Sequence, residues 1–156
     1  MKVLVTGANG YLGQGIVKAI LDCGNEVIAT GLETGHVDNR AKKKNCDLFS
    51  IENPYEYFEF PEVVLHLAWR DGFVHYSDSH IVDLPKHYEF IKKMINGGVK
   101  KIAVMGSMHE IGFYEGSINE NTPCNPITPY GISKNALREL TKMLCQKSEV
   151  KFQWLN

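Results

Sequence analysis

Short apolar runs alternate with stretches of helical periodicity along this 156-residue chain. The first run covers residues 3–5, and after a glycine-rich turn Ile16, Val17, Ile20 and Leu21 follow at helical spacing. A short apolar run that ends at a turn signal is typical of a buried parallel strand, and spacing by three and four residues is typical of an amphipathic helix. The N-terminal pattern therefore predicts a strand followed by a helix.

The same alternation continues along the rest of the chain. Further strands are predicted at residues 26–30, at a short segment ending with residues 46–48, and at residues 63–68, 101–105 and 152–155. Helical patterns precede Gly97 and follow Tyr130. Strands that alternate with helices are typical of an α/β fold with a doubly wound parallel sheet of the Rossmann type, in which ligands bind at the carboxyl ends of the strands.

Three glycines lie between the predicted first strand and first helix, at Gly7, Gly10 and Gly13. Glycine at this junction permits a tight turn and the close approach of a pyrophosphate, while the helix N-terminus supplies amide donors and a positive dipole. The spacing is one residue looser than the common dinucleotide fingerprint. A glycine-rich surface turn is the alternative, and the flanking strand and helix favour a dinucleotide site over it.

A tyrosine and a lysine stand four residues apart at a predicted helix start, Tyr130 and Lys134. Such side chains share one helix face, and a nearby ammonium favours the phenolate of a tyrosine, which otherwise titrates near pH ~10. Taken alone, this spacing is more often a solvated helix face. Three other segments meet the pair at the strand ends, namely the glycine turn, residues 67–69 and Ser107, and this convergence favours an acid/base site.

Composition narrows the possible functions. A hydrophobic content of 44% and a formal net charge of −1 indicate neither a nucleic-acid-binding surface nor disorder. No apolar stretch approaches the ~20 residues that span a bilayer, and the chain begins with a strand rather than a signal peptide. Its four cysteines have no paired spacing, so we expect reduced thiols in a cytoplasmic protein with no membrane or nucleic-acid partner.

Five short sequence motifs follow one another along the chain. They are Thr6-Gly7-Ala8-Asn9-Gly10-Tyr11-Leu12-Gly13, Cys46-Asp47-Leu48, His66-Leu67-Ala68, Gly106-Ser107 ahead of Gly112, and Glu120-Asn121-Thr122-Pro123 ahead of Pro126, Pro129, Tyr130 and Lys134. Jointly these motifs resemble the extended short-chain dehydrogenase/reductase family, in its branch of NAD-dependent nucleotide-sugar epimerases, dehydratases and reductases. The resemblance spans the whole chain.

The resemblance implies catalytic roles for three residues. Tyr130 would be the acid/base at a substrate hydroxyl or carbonyl group. Lys134 would lower the pKa of Tyr130 and hydrogen-bond the nicotinamide ribose. Ser107 would donate a hydrogen bond to the same substrate oxygen and stabilise the charge that develops there.

The resemblance also implies NAD as the cofactor. The residues that would hold it are Gly7, Gly10, Tyr11, Leu12, Gly13, Asp47, Leu48, Leu67, Ala68, Trp69, Tyr130 and Lys134. Within this set, residues 11–12 would meet the pyrophosphate through their backbone, residues 47–48 would border the adenine, and residues 67–69 would line the middle of the cofactor.

One departure from the family pattern concerns the choice of cofactor. Gly31 stands where NAD-preferring members carry an acidic residue that accepts from the ribose 2′-hydroxyl. Glu33 is one substitute, whereas Arg40 or the lysine run at residues 42–44 could hold the 2′-phosphate of NADP. The lysine run is otherwise a solvated face. We expect NAD and leave NADP open.

Other departures concern the substrate side. Asp83 replaces a family asparagine in the helix after the fourth strand. Family members are about twice as long, so we expect residues 1–156 to be the dinucleotide-binding domain, ending after the sixth strand without the C-terminal substrate lobe. His66 lies in a predicted buried strand and is interpreted as a core histidine. The pair His109-Glu110 lacks the second histidine of a zinc motif, so no metal site is predicted.

We therefore predict an NAD-dependent epimerase or reductase that acts on a nucleotide-activated sugar through Ser107, Tyr130 and Lys134. Met108 and His109 stand where dehydratases of the family carry an acid pair, which argues against dehydration. The family resemblance implies a homodimer joined by the two helices that follow strands four and five. The alternative is a non-catalytic dinucleotide-binding module, a redox sensor or scaffold, because a chain without the substrate lobe can bind cofactor without turning over substrate.

Overall fold

Ten helices and strands follow one another along the computed structural model, which describes residues 1–156. In chain order they are β1 (Lys2–Thr6), α1 (Tyr11–Asp22), β2 (Glu26–Gly31), β3 (Lys42–Asn45), α2 (Pro54–Tyr57), β4 (Val63–His66), α3 (Ser79–Gly97), β5 (Lys101–Met105), α4 (Pro129–Lys147) and β6 (Lys151–Leu155). The six strands form one sheet in the order β3-β2-β1-β4-β5-β6. This order confirms the predicted doubly wound, Rossmann-type α/β fold.

The carboxyl ends of the strands lie at one edge of the sheet, because every neighbouring pair is parallel. Thr6, at the end of β1, is in register with Thr30 of β2 on one side and His66 of β4 on the other. The glycine turn, residues 67–69 and Ser107 follow β1, β4 and β5 respectively. The topology therefore brings these segments to the same edge.

Helices bury both faces of the sheet, which explains the continuous apolar runs. In β1, Leu4 belongs to a cluster with Ile91 of α3 and Leu137 of α4, whereas Val5 belongs to a second cluster with Val17 of α1. All five side chains are completely buried. Burial of an aliphatic side chain of this size contributes about 1.5–3 kcal/mol, so neighbouring positions of one strand stabilise opposite layers of the core.

The third strand is present but ends at Asn45, earlier than predicted. The sequence predicts a strand ending at residues 46–48, but β3 consists of the lysine run and Asn45. It lies at the edge of the sheet with β2 as its one neighbour, and lysines are suited to sheet edges because they oppose pairing with another chain. Lys42 and Lys44 both pair with Glu59. The interpretation as a solvated face is therefore closer to the structure than a free phosphate-binding group.

The fourth strand ends at His66, two residues earlier than predicted. The amide of Leu67 still donates to the Thr6 carbonyl, but the amide of Ala68 turns to the Thr6 hydroxyl oxygen. The other predicted strands agree with the structure to within one residue at each end, and α3 ends at Gly97 as expected. No helix combines the length and the apolar character needed to cross a bilayer.

Candidate functional site

The turn after β1 depends on two of its three glycines. Gly7 has a φ of +67°, and a Cβ there would lie 2.8 Å from the amide nitrogen of Ala68. A Cβ on Gly13 would lie 2.5 Å from the carbonyl oxygen of Gly7, whereas the nearest atom to one on Gly10 would be 3.2 Å away. Helix α1 begins at Tyr11, and the first amides of a helix have no partner within it. The turn therefore presents free donors beside a closely packed backbone.

A cleft of about 740 Å³ opens at this edge of the sheet, within the usual size range of cofactor sites. Seven of the residues predicted to bind the cofactor line it: Gly7, Gly10, Asp47, Leu48, Leu67, Ala68 and Trp69. The other five adjoin these, in the first turn of α1 or against the Trp69 ring: Tyr11, Leu12, Gly13, Tyr130 and Lys134.

The end of β2 favours a hydroxyl over a phosphate on the cofactor ribose. Gly31 and Glu33 line the cleft there. Arg40, considered above as a phosphate ligand, pairs instead with Asp22 and Asp38. Lys42 and Lys44 pair with Glu59, and Lys43 donates to the side-chain oxygen of Asn39. The charged side chain that lines the cleft at this strand end is the acidic Glu33, which suits a ribose 2′-hydroxyl.

Asp83 is buried in the wall of the cleft, where it holds two cations. Its carboxylate pairs with Arg70 Nε at 2.5 Å and with Lys86 Nζ at 2.8 Å. All three residues line the cleft. Asp83 thus forms an ion-paired cluster, in which two partners offset the cost of burying the carboxylate.

His66 is a buried core residue, as predicted. Its Nδ1 lies 2.8 Å from Thr6 Oγ1, and its Nε2 lies 2.8 Å from Nδ1 of His87. Burial lowers the pKa of His66, and it lowers the pKa of His87 to about 3, so both imidazoles are neutral. Trp69 stacks on His87 with 4.5 Å between ring centroids. An uncharged layer therefore supports Trp69 at the cleft.

Lys134 is held from two sides and is only 3% exposed. Its Nζ donates to the carbonyl oxygen of Met105, the last residue of β5, at 2.8 Å, and lies 4.1 Å from the centroid of the Trp69 ring. Burial lowers the pKa of Lys134 to about 8, and the charge of Glu110 opposes this shift. Near neutral pH the residue is therefore a fixed cation at the end of β5.

Tyr130 lies in the first turn of α4, where Thr128 caps the helix by accepting the amide of Gly131. The ring of Trp69 contacts the ring of Tyr130 edge-on, and the Nζ of Lys134 lies over the face of the Trp69 ring. The tyrosine and the lysine therefore share Trp69 as a neighbour. The ring centroids of four aromatic side chains lie 5.1–6.2 Å from that of Tyr130: Trp69, His75, His80 and His109.

Ser107 follows β5 directly beyond Gly106 and caps a single helical turn, Met108–Glu110. Its Oγ accepts the amide of His109 at 3.2 Å, and its own amide donates to Glu110 Oε1 at 2.7 Å. A hydroxyl oxygen that accepts one hydrogen bond still has a proton to donate. The hydroxyl of Ser107 can therefore donate to a bound molecule while its backbone is fixed.

The sequence interpretation missed two features of this site. Glu110 is completely buried next to Ser107, and the spacing Ser-x-x-Glu, the signature of a capping box, could have revealed their contact. The histidines around Tyr130 come from three separate segments, and no spacing in the sequence relates them.

Of the predicted catalytic residues, Ser107 lies just after β5, while Tyr130 and Lys134 contact Trp69, which lines the cleft after β4. The three supply a hydroxyl donor, a phenol and a buried cation. Such a set can transfer a proton to or from an oxygen atom of a bound molecule and stabilise the charge that develops on it.

Comparison with known proteins identifies close relatives. A family model described as the NAD dependent epimerase/dehydratase family matches residues 3–156. The chain is 40% identical over 161 residues to the dTDP-6-deoxy-L-talose 4-dehydrogenase (NAD(+)) of Aggregatibacter actinomycetemcomitans, covering 99% of this chain and 60% of that protein. It is 31% identical over 168 residues to the UDP-glucose 4-epimerase of Streptococcus mutans, covering 97% and 50% respectively. The chain thus spans about half to three-fifths of these relatives.

Solved structures share the fold. The UDP-glucose 4-epimerase of Thermus thermophilus, solved in complex with NAD, has a TM-score of 0.87 and is 26% identical, with 99% of this chain and 54% of that chain covered. The UDP-glucose 4-epimerase of Thermotoga maritima, solved with UDP-glucose, has a TM-score of 0.86 at 22% identity, with the same coverage of 99% and 54%.

Proposed function

Because this chain belongs to the NAD-dependent epimerase/dehydratase family, we propose that it binds NAD and oxidises or reduces a ring carbon of a nucleotide-activated sugar. The observation that supports the proposal is that Tyr130 and Lys134 both contact Trp69, which lines a cleft of about 740 Å³, while Lys134 also binds the carbonyl oxygen of Met105, two residues before Ser107. A non-catalytic dinucleotide-binding module would need the glycine turn but would have no need of Ser107, Tyr130 and Lys134.

Each of the three residues has one role in this reaction. Tyr130 removes the proton from the hydroxyl group of the reacting carbon, or returns it to the carbonyl oxygen in the reverse direction. Lys134, fixed against Met105, favours negative charge on the phenol oxygen of Tyr130. Ser107 donates its hydroxyl proton to the same substrate oxygen and orients it.

The residues at the cleft fit NAD. The turn at Gly7 and Gly13 would leave room for a pyrophosphate beside the first amides of α1, and Glu33, which lines the cleft, would accept a hydrogen bond from the ribose 2′-hydroxyl. Bound there, NAD supplies the hydride acceptor for the oxidation. The protein positions the substrate oxygen and stabilises the charge that develops on it.

Among the possible reactions we favour net oxidation or reduction at carbon 4 of a dTDP-activated deoxysugar. The support is the 40% identity to a dTDP-6-deoxy-L-talose 4-dehydrogenase, against 31% to a UDP-glucose 4-epimerase. Met108 and His109 in place of an acid pair make dehydration the least suitable reaction. We assign recognition of the sugar mainly to the part of these relatives that the chain does not match.

The test is turnover by the purified full-length protein with NAD and a panel of dTDP-sugars and UDP-sugars. Oxidation of a dTDP-deoxysugar with formation of NADH is the expected result. The variant Tyr130→Phe should lower kcat by about 10²–10⁴-fold, because it removes the acid/base group but keeps the ring. The control Tyr57→Phe, in the short helix α2 away from the cleft, should leave kcat unchanged.

Two outcomes would contradict the proposal. NAD binding by calorimetry without turnover of any sugar on the panel would favour the non-catalytic module. Full turnover by Tyr130→Phe would contradict the assigned role of Tyr130 as the acid/base group but not the proposed substrate class.

We also propose that the protein is a cytoplasmic homodimer that associates through α3 and α4. The two helices pack against each other, and each keeps exposed apolar side chains, among them Ile81 of α3 and Ile132 and Met143 of α4. All four cysteines are unpaired, which is compatible with a reducing compartment.

A further inference from the structure

Glu110 is completely buried although it is an acidic residue. Its Oε1 accepts the Ser107 amide at 2.7 Å, and the indole Nε1–H of Trp154 lies 3.1 and 3.2 Å from its two oxygens. Nη1 of Arg138 lies 3.9 Å from Oε2. The turn after β5, helix α4 and strand β6 thus each direct a donor at one carboxylate.

All three of these partners are hydrogen-bond donors or cations. Such partners favour an ionised carboxylate at Glu110 over a protonated carboxyl group. An ionised carboxylate only accepts hydrogen bonds, whereas a protonated carboxyl also has a proton to donate. Burial raises the pKa of Glu110, and the Ser107 amide, the charge of Arg138 and the Trp154 indole oppose that rise. The charge of Arg138 and the two N–H donors therefore favour the ionised carboxyl group.

Glu110 faces the side of α4 that carries Lys134, because Arg138, one helical turn beyond Lys134, lies 3.9 Å from its carboxylate. Burial lowers the pKa of Lys134 to about 8, and Glu110 is the charge that opposes this shift. The other titratable side chains near the ammonium are Tyr130 on the same helix face and the buried pair His66 and His87, which are neutral. Glu110 is therefore the one carboxylate that supports the buried cation.

We propose that Glu110 is a positioning residue for the site of Ser107, Tyr130 and Lys134: its carboxylate fixes the backbone of Ser107 and places a negative charge on the side of α4 that carries the Lys134 ammonium. The catalytic meaning of this role rests on the proposed function. Its two physical claims, about the Ser107 amide and the Lys134 ammonium, are measurable without substrate or cofactor. Trp154 adds a connection from β6 to the same carboxylate.

The claim about charge is tested by following the titration of the Lys134 side chain by NMR in Glu110→Gln. The matched control is Glu139→Gln, because Glu139 also contacts Arg138, at 3.1 Å, but is exposed and has no contact with Ser107. We expect a midpoint near 8 in the unchanged protein and in the control, and a clearly lower midpoint in Glu110→Gln. Equal midpoints in the two variants would overturn this claim.

The claim about position is tested with Glu110→Asp, which keeps the charge but shortens the side chain. Amide hydrogen exchange at Ser107 should become faster by about tenfold, as expected for the loss of one charge-assisted hydrogen bond. The Lys134 midpoint should move much less than in Glu110→Gln. Unchanged exchange at Ser107 would show that Glu110 does not hold this backbone.

The unmodified protein gives a third test that does not depend on the variants folding. The carboxyl carbon of Glu110 and the amide proton of Ser107 should titrate with the same midpoint, and two separate midpoints would overturn the proposal. With substrate, the high-pH limit of activity should move to lower pH in Glu110→Gln but not in Glu139→Gln. Absence of turnover by the unchanged protein would remove the proposed function, while the titrations would still decide the role of Glu110.

Discussion

Burying a charged ammonium group destabilises the folded state, and the ammonium group of Lys134 is buried at the proposed site. Its pKa is about 8 in the folded chain, against an ordinary value of 10.5. Below pH ~8 both the folded and the unfolded chain hold this proton, so the cost is fully present. Between the two values the folded chain releases the proton and the unfolded chain keeps it, so stability rises with pH by about 3 kcal/mol from this residue.

The variant Lys134→Met should therefore lose that part of the pH dependence, because methionine does not titrate. Urea unfolding at about pH 7 and about pH 10.5 checks this, with Lys142→Met, an exposed lysine of the same helix, as control. The control should keep the rise in stability. An equal rise in the free energy of unfolding with pH in Lys134→Met would mean that the buried ammonium of Lys134 does not destabilise the fold.

At the scale of the element, the turn between β1 and α1 should tolerate no side chain at Gly7. We expect Gly7→Ala to destabilise the fold by ~1–2 kcal/mol or more, because its φ of +67° is unfavourable for alanine and its Cβ would meet the backbone of Ala68. NAD affinity should fall as well. The control is Gly15→Ala in the middle of α1, where a Cβ would have no neighbour within 4 Å; it should stabilise the helix by about 0.5–1 kcal/mol.

Urea unfolding and calorimetry with NAD measure both effects. Equal stability and equal NAD affinity of the two glycine variants would contradict the role given to this turn.

The elements that could be predicted from the sequence are those whose packing produces a regular pattern. The strands β1, β2, β4 and β5 are apolar runs because both faces of the sheet are covered, and Tyr130 and Lys134 share a face by helical spacing. The edge strand β3 shows no apolar pattern, because its lysines face solvent and two of them pair with the carboxylate of Glu59. Glu110 escaped prediction since its burial depends on Trp154, 44 residues away in the chain.

At the scale of the whole molecule, the proposed dimer predicts that one substitution on α4 separates the subunits. Light scattering should give twice 17.6 kDa for the unchanged chain and 17.6 kDa for Ile132→Glu, because a carboxylate cannot be buried in an apolar contact without a partner. The control is Ile118→Glu in the loop before α4, since both isoleucines are 47% exposed. A monomeric unchanged chain would refute the dimer.

The two tryptophans of this chain both lie at the proposed site. Trp69 lines the cleft, and Trp154 donates to the carboxylate of Glu110. Since indole emission responds to nearby rings and charges, the molecule has intrinsic fluorescent reporters of its own chemistry. Entry of a cofactor should alter the emission of Trp69, and loss of charge on Glu110 should alter that of Trp154. Single-tryptophan variants would therefore follow occupancy and ionisation as separate optical signals, without any added label.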